Sequence, residues 1–389
     1  MLKTIFILGR QPELGFAELE RVDPGLNISK FSENIALSDQ KVESSLINRL
    51  GGTLKIAQIE TIIQMSPWSE IEKKLAETFL DQIVGLPDGK INLGISCYGL
   101  PVEASEINRT CLSLKKLIKA KGRSIRVVPN KEPVLSTAQV EHNKLTGKTG
   151  VEIIIATNNN EILMANTISS QNIEAYAARD QARPKRDAKV GMLPPKLAQI
   201  MINIASPKEG SLVLDPFCGT GVILQEALLM GYAASGTDID ERMVEYSQTN
   251  LEWLSDKFEI QTSWDVEQAD ATNHKWDLDN LSVVSETYLG RPLFNPLPEN
   301  QLEQLSNEVN DLTKRFLVNL GSQIPVNTSL CIAVPAWKLK QGFKTLPILD
   351  HLEEIGYNHI SFKTVDTREL IYHRPQQLVA RQLLSLKRK

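Results

Sequence analysis

The sequence predicts an α/β chain whose larger, C-terminal half is a doubly wound, Rossmann-like sheet, preceded by two smaller α+β units. Three observations carry that reading. From residue 191 onward, short apolar runs alternate with helical stripes. The runs at 211–217, 233–240 and 266–272 each bring an acid to a strand end. A glycine-bearing turn, "DPFCGTG", follows the first of them. With 389 residues, 42% hydrophobic and 23% charged, the chain can build two or three cores and is too apolar to be disordered.

Residues 1–60 read strand, helix, strand, helix: "KTIFILG", "PELGFAELERV" with apolar residues at helical spacing, "NIALSD", and "VESSLINRLGG" closed by two glycines. Residues from about 54 to 170 form the second α+β unit. "LKIAQIETII" leads into the amphipathic "WSEIEKKLAETFLDQIVGL", the strand "INLGISCYG" and a basic helix over 106–121. "SIRVVP", the helix "STAQVEHNKL" and a hairpin of "VEIIIAT" and "ILMANTIS", joined at Asn158, Asn159 and Asn160, complete it. Residues 171–190 lack an apolar face and read as a linker. Beyond them, "PPKLAQIMINIA" is a helix with prolines at its entrance, "SLVLDPF" a buried strand, and "GVILQEALLMGY" a helix entered through glycines. "AASGTDID", "VEQADAT", "LSVVSE" and "SLCIAVPAW" are further strands, "ERMVEYSQTNLEWL" a helix, and "HISFKTV" and "LVARQLLSLK" two closing strands.

Cys97, Cys111, Cys218 and Cys331 stand alone without a CxxC pair, and five histidines accompany them. Neither a disulfide framework nor a metal cluster is expected, and a reducing cytoplasm fits. The apolar run at the N-terminus is too short for a signal peptide, and no segment approaches the roughly 20 apolar residues of a membrane span. A monomer is the default expectation. The net charge of −4 hides an asymmetry: Lys115, Lys116, Lys119, Lys121, Arg123, Arg126 and Lys131 lie within 111–131 with no acid among them. Arg179, Arg183, Lys185, Arg186 and Lys189 form a second cluster. Such runs usually only face solvent, and they become an RNA surface only if the C-terminal half needs a polyanion.

In an open α/β sheet, ligands bind beyond the carboxyl ends of the strands. After the first strand come Asp215, Pro216, Phe217, Cys218, Gly219, Thr220 and Gly221, where glycines permit a tight turn and helix N-terminal amides can meet a carboxylate. A dinucleotide fingerprint needs a third glycine where this chain has Leu224, so nicotinamide binding is disfavoured. Asp238, followed by Ile239, ends the next strand and suits a ribose diol. Asp270, followed by Ala271, ends the third and can reach an adenine edge. All three in order point to an adenosyl cofactor with a carboxylate tail.

These residues resemble the THUMP-containing tRNA guanosine N2-methyltransferases. "GMLPPKLAQIMINIA", "LVLDPFCGTGVILQEAL" and "GTDIDERMVEYSQTNL" are similar to that family's cofactor core, and "LGGTLKIAQI" and "LSTAQVEHNKLTGKTGVEIII" to its ferredoxin-like and THUMP domains. The resemblance implies a class I methyltransferase domain with a seven-stranded sheet over 191–389, behind ferredoxin-like (1–60) and THUMP-like (61–170) domains. It implies S-adenosylmethionine in a pocket lined by Asp215, Phe217, Gly219 and Gly221, with Asp238 on the ribose and Asp270 with Ala271 on the adenine. It also implies tRNA as the partner of the basic residues.

The departure is "VVSETYLGRP". The family carries Asp or Asn, two prolines and an aromatic after the fourth strand. An aromatic exocyclic amine is a poor nucleophile, so a side-chain oxygen and a backbone carbonyl must accept its hydrogens while a ring stacks on the extracted base. Aligned on Gly290 and Arg291, Glu286 stands at the acid, Thr287 and Tyr288 at the prolines, and Leu289 at the aromatic. One reading has Glu286 accepting from the amine and Tyr288 stacking from a shifted position. The rival is a catalytically silent RNA-binding relative, and a third reading moves the chemistry to another RNA or to adenine in DNA. Arg183 and Pro184 match a linker motif and are candidates to touch RNA phosphate or close over the cofactor. Trp337 is expected in the core, His373 and Arg374 in a turn, and Cys218 as a packing residue.

Overall fold

The computed structural model describes residues 2–187, 192–277 and 279–389. The chain divides into two compact units that interleave along the sequence. The first takes Met1–Pro12, Gly25–Arg49 and Thr53–Ala175; the second takes Glu13–Pro24, Leu50–Gly52 and Tyr176–Lys389.

The first unit holds β1 (Thr4–Leu8), followed by α1 (Pro12–Val22), nearly all of which belongs to the second. Next come β2 (Ser29–Ser32), β3 (Ile35–Ser38), β4 (Thr53–Gln64), α2 (Trp68–Val84), β5 (Ile91–Tyr98), α3 (Ala104–Ala120), β6 (Ile125–Val127), α4 (Thr137–His142), β7 (Gly150–Thr157) and β8 (Glu161–Ser170). Its strands form one eight-stranded sheet in the order β2-β3-β1-β4-β8-β7-β5-β6. The twelve-residue β4 makes the sheet continuous, pairing antiparallel with β1 on one side and β8 on the other. Ile71, Leu75, Phe79 and Ile83 of α2 and Ile107, Cys111, Leu114 and Ile118 of α3 recur every three or four residues and are buried in one core, as an amphipathic helix requires.

The second unit continues with α5 (Ile173–Gln181), which begins in the first, then α6 (Pro195–Ala205), β9 (Leu212–Asp215), α7 (Val222–Leu229), β10 (Ala233–Asp238), α8 (Glu241–Phe258), β11 (Trp264–Gln268), β12 (Leu281–Glu286) and α9 (Glu299–Gly321). It closes with β13 (Ser329–Lys338), β14 (Phe343–Lys344), β15 (Tyr357–His359), β16 (Ile371–Tyr372) and β17 (Val379–Arg388). The sheet runs β11-β10-β9-β12-β13-β17-β15, with β14 and β16 as short additions to β13 and β17. β9 to β13 are parallel, while β17 is antiparallel to both β13 and β15. Successive strand residues face opposite sides. Val213, Val284, Ala333 and Leu383 join a core with α6, α7 and α8, whereas Leu214, Val283, Val334 and Leu384 join one with α9. Two covered faces explain why these strands read as continuous apolar runs.

Four segments depart from the sequence reading. "VESSLINRLGG" makes a 3₁₀ turn over Ser44–Arg49 and no α-helix, because the buried Glu18 carboxylate accepts from the amides of Gly51 and Gly52 at 2.8 Å each and holds that chain in a turn. The stretch read as a linker contains α5, whose Arg179 reaches Glu226 of α7 at 2.8 Å; its support is tertiary. The 23-residue α9 stands between β12 and β13, where no element was expected, and buries Leu305, Val309, Phe316 and Leu320. Of "HISFKTV", only its first residue is strand, at the end of β15.

Candidate active site

The acids read at the strand ends meet at one edge of the second unit's sheet. Asp215 closes β9 and is only 2% exposed. Its Oδ1 accepts from the Ser285 hydroxyl of neighbouring β12 at 2.6 Å and from the Phe217 amide at 3.2 Å. Burial pushes its carboxyl up to about 7, with these two hydrogen bonds pulling it down and the charges of Asp238 and Glu286 pushing it further up. The following loop turns through Gly219 (φ 51°) and Gly221 (φ 81°) into α7. A Cβ on Gly221 would lie 2.4 Å from the Ser247 hydroxyl of α8, so only glycine lets the loop lie that close; a Cβ on Gly219 would meet open space.

Asp238 ends β10 and ties the loop down. One of its oxygens accepts from the Gly219 amide and the other from the Asp240 amide, both at 2.9 Å, and each oxygen keeps a second lone pair. Burial raises its pKa. Asp270, after β11, accepts from the amide and hydroxyl of Thr272 at 2.9 and 2.8 Å, which hold its carboxyl below the ordinary value.

At the end of β12, the Thr287 amide donates to the Ala333 carbonyl of β13 at 3.0 Å. A proline has no N–H, so its absence at this position lets the β12–β13 ladder run one residue further. Thr287 is buried and Tyr288 is 40% exposed. Glu286 makes an ion pair with Arg381 of β17: its Oε1 accepts from Nε, and Nη2 stands 3.5 Å from Oε2. Burial raises the Glu286 carboxyl and the Arg381 guanidinium pulls it back. The sequence reading missed Arg381. Its signal was an arginine inside the apolar run "LVARQLLSLK", since a charge in a core strand needs a partner.

Two cavities meet at Phe217 and Glu286. Asp215, Cys218, Gly219, Thr220, Asp187 and Met192 line part of one. The other, an open cleft of ≈ 930 Å³, is lined by Pro216, Asp238, Ile239, Asp270, Ala271, Thr287, Tyr288 and Glu308 among others. The Phe217 ring is braced edge-on against Phe316 of α9, with centroids 4.9 Å apart. Of the predicted cofactor residues, Gly221 lines neither cavity and acts by shaping the loop. The donor set fits S-adenosylmethionine. Asp215, Asp238 and Glu286 suit a ligand bearing cationic centres, Asp238 retains acceptor capacity for a diol, the exposed Ile239 offers an apolar surface for a base, and the missing Cβ of Gly219 leaves room beside the loop.

The basic residues divide. Lys116, Lys119, Lys121 and Arg126 are exposed and Lys115 is half-buried; beside them on α3, Leu112 and Leu117 are also exposed. Arg123 has a different role. Its guanidinium donates to the carbonyls of Val84 and Leu86 at 2.7 Å and Pro87 at 2.6 Å, which anchors the chain leaving α2. Arg183, a candidate to touch phosphate or close over the cofactor, is buried and out of reach of a surface phosphate, with Nη2 3.7 Å from Asp180 and 2.8 Å from the sulfur of Met192, which lines the cavity beside the glycine loop. Lys189 lies outside the described residues. Trp337 is in the core, His373 and Arg374 flank a turn in which the His373 ring meets the Gln377 carbonyl, and burial pushes the Cys218 thiol up, away from nucleophilic use. Among the described residues there is no cluster of three or more metal-ligating side chains, and no helix is long and apolar enough to cross a membrane.

Residues 183–315 match the family described as the RMKL-like methyltransferase domain. A protein of Methanothermococcus thermolithotrophicus designated "Probable tRNA (guanine(10)-N2)-dimethyltransferase" is 46% identical over 140 residues, covering 33% of this chain and 80% of that one. The tRNA (guanine(10)-N2)-dimethyltransferase of Methanothermobacter thermautotrophicus is 34% identical over 158 residues, covering 40% of this chain and 43% of its own length; the chain thus spans less than half of that relative. Among solved structures, TrmN from Thermus thermophilus matches over 100% of both chains with a TM-score of 0.57 at 14% identity, a likeness of fold.

Proposed function

The chain belongs to the tRNA (guanine-N2)-methyltransferase family, and from that premise we propose that it transfers a methyl group from S-adenosylmethionine to an exocyclic base amine, guanine N2 of tRNA. The observation that carries the proposal is the position of Glu286, an acceptor at the junction of two cavities, one walled by the glycine loop and the other by Asp238, Asp270 and Tyr288.

The loop from Asp215 to Gly221, with Asp238, Ile239, Asp270 and Ala271, holds the cofactor, which supplies an electrophilic methyl on a sulfonium. Glu286 accepts a hydrogen of the target amine, aims its lone pair and takes up the proton released. Tyr288, 40% exposed on the open cleft, stacks on a base drawn from its helix. Thr287 holds the strand end through Ala333. In the first unit, which we read as RNA-binding with a ferredoxin-like part over 1–60 and a THUMP-like part over 61–170, Lys115, Lys116, Lys119, Lys121 and Arg126 meet tRNA phosphates. A cytoplasmic location follows from that substrate.

The test is transfer of labelled methyl from S-adenosylmethionine to unmodified tRNA transcripts, with Glu286→Ala beside the native chain and digestion to nucleosides. Label on guanosine that vanishes in the variant supports the reading. Binding of tRNA without transfer identifies a silent relative, and label on adenine or only on another nucleic acid overturns the substrate.

A further inference from the structure

We propose that Arg381 is a positioning residue for Glu286, and that their ion pair fixes the acceptor carboxylate as the two prolines of the family's tetrad fix its backbone. The inference rests on the reading of Glu286 as the amine acceptor.

β13 lies between β12 and β17, so the pair spans two strand spacings, roughly 10 Å. Along β13, Glu286 pairs with Ala333 and Arg381 with Pro335, which sets the guanidinium two residues along from the carboxylate. Both side chains must reach over the intervening strand to meet. An aspartate is one methylene shorter and falls short of the guanidinium, which explains a glutamate where the family has Asp or Asn. The Arg381 side chain is 5% exposed and that of Glu286 17%, so water can replace little of the contact. Arginine also suits the span: its planar fork presents two nitrogens toward one carboxylate, whereas lysine presents a single point.

Among the described residues, Arg381 of β17 pairs with Glu286, Asp215 of β9 couples to it, and Asp187, Asp238, Asp270 and Glu308 line the same two cavities; Tyr288, two residues on, faces Glu308 and Arg291. Burial disfavours the Glu286 anion and Arg381 favours it. Without Arg381, burial acts unopposed, and Glu286 stays protonated to a higher pH, where it is a weaker acceptor and cannot take up the proton that the amine releases.

The experiment compares the native chain with Arg381→Met, Arg381→Lys, Glu286→Asp and the double variant Glu286→Gln/Arg381→Met. Methyl transfer is read as kcat and KM against pH, and unfolding stability against pH without substrate or cofactor. Arg381→Met is expected to lower kcat about 10- to 100-fold at pH 7 with the KM for tRNA within about threefold, and to move the acidic limb of the rate profile to higher pH. Arg381→Lys recovers part of kcat, and Glu286→Asp loses it although it restores the family's acid. In the stability measurement a raised folded-state pKa gives stability that is lost as pH rises. Arg381→Met therefore falls off more steeply than the native chain as the pH rises above the ordinary carboxylate range, and the double variant loses that extra slope. An unchanged stability slope overturns the pairing. A loss of kcat that is equal at every pH and not rescued by lysine overturns the positioning role and leaves Arg381 a strut. If the native chain transfers no methyl group, the proposed function fails, while the stability slope still decides whether Arg381 sets the state of Glu286.

Discussion

Replacing Asp215 by asparagine should stabilise the free protein, increasingly so as the pH rises from 5 to 8. Asp215 is 2% exposed and has no cation against it; its partners are a hydroxyl and an amide, both of which an asparagine oxygen can still satisfy. Its carboxyl moves from 3.8 to about 7 on folding. A group raised in this way contributes stability that is fully present below its unfolded value and lost as the pH climbs through its folded value. The whole displacement corresponds to about 4 kcal/mol. Between pH 5 and about 7 the native chain loses about 1.4 kcal/mol per pH unit at this site and the variant loses none, so the advantage of the variant grows by about 3 kcal/mol and then levels off. Glu18 and Glu226, also pushed up to about 7 by burial, are present in both proteins and cancel from the difference. The assay is urea unfolding of the two proteins at half-unit steps from pH 5 to 8. A difference that stays flat would show that Asp215 is already ionised at pH 5, and would refute the argument from burial. The same variant should bind the cationic cofactor more weakly, as expected if the strain of a buried carboxylate is held for the ligand.

Other perturbations test other parts of the molecule. Gly221→Ala forces an L-residue to φ 81° with its Cβ against the Ser247 hydroxyl; a loss of about 1–3 kcal/mol in thermal unfolding, together with weaker cofactor binding by calorimetry, is expected. In the first unit, Glu152 is wholly buried, paired with Lys55 and accepting from the hydroxyls of Ser96 and Thr167 at 2.6 and 2.8 Å. Glu152→Ala strands the lysine and should cost about 3–5 kcal/mol in chemical denaturation, with Lys55→Met in the same chain recovering much of it. Lys116→Glu with Lys119→Glu should weaken tRNA binding in a filter assay and lower the salt dependence by about two phosphate contacts, with cofactor binding unchanged.

Much of the second unit was legible because its signals are local. The helical stripes, the glycine loop and an acid at three strand ends are all readable within a dozen residues, and parallel strands covered on both faces write themselves as apolar runs. α9 was equally local, since Leu305, Val309, Phe316 and Leu320 recur at helical spacing, although no element was read there. The acidic cleft and the cofactor it suits therefore follow from the sequence by itself, as does the fold class.

What the tertiary structure alone decided is how each charge is used. Arg123, Arg183 and Arg381 look alike along the chain. One closes the exit of a helix, one is buried beside Met192 and Asp180, and one grips Glu286 from 95 residues away. Local sequence sets which face of a strand or helix a residue occupies, because that depends on backbone period. The partner of a long cationic side chain depends on which strands lie side by side, and β17 reaches the vicinity of β12 only after the sheet has been assembled around β13. The same holds for "SETYLG". Its missing prolines are visible in the sequence, whereas the guanidinium that holds the glutamate comes into view only with the fold, since an ion pair across two strand spacings leaves no trace in local periodicity.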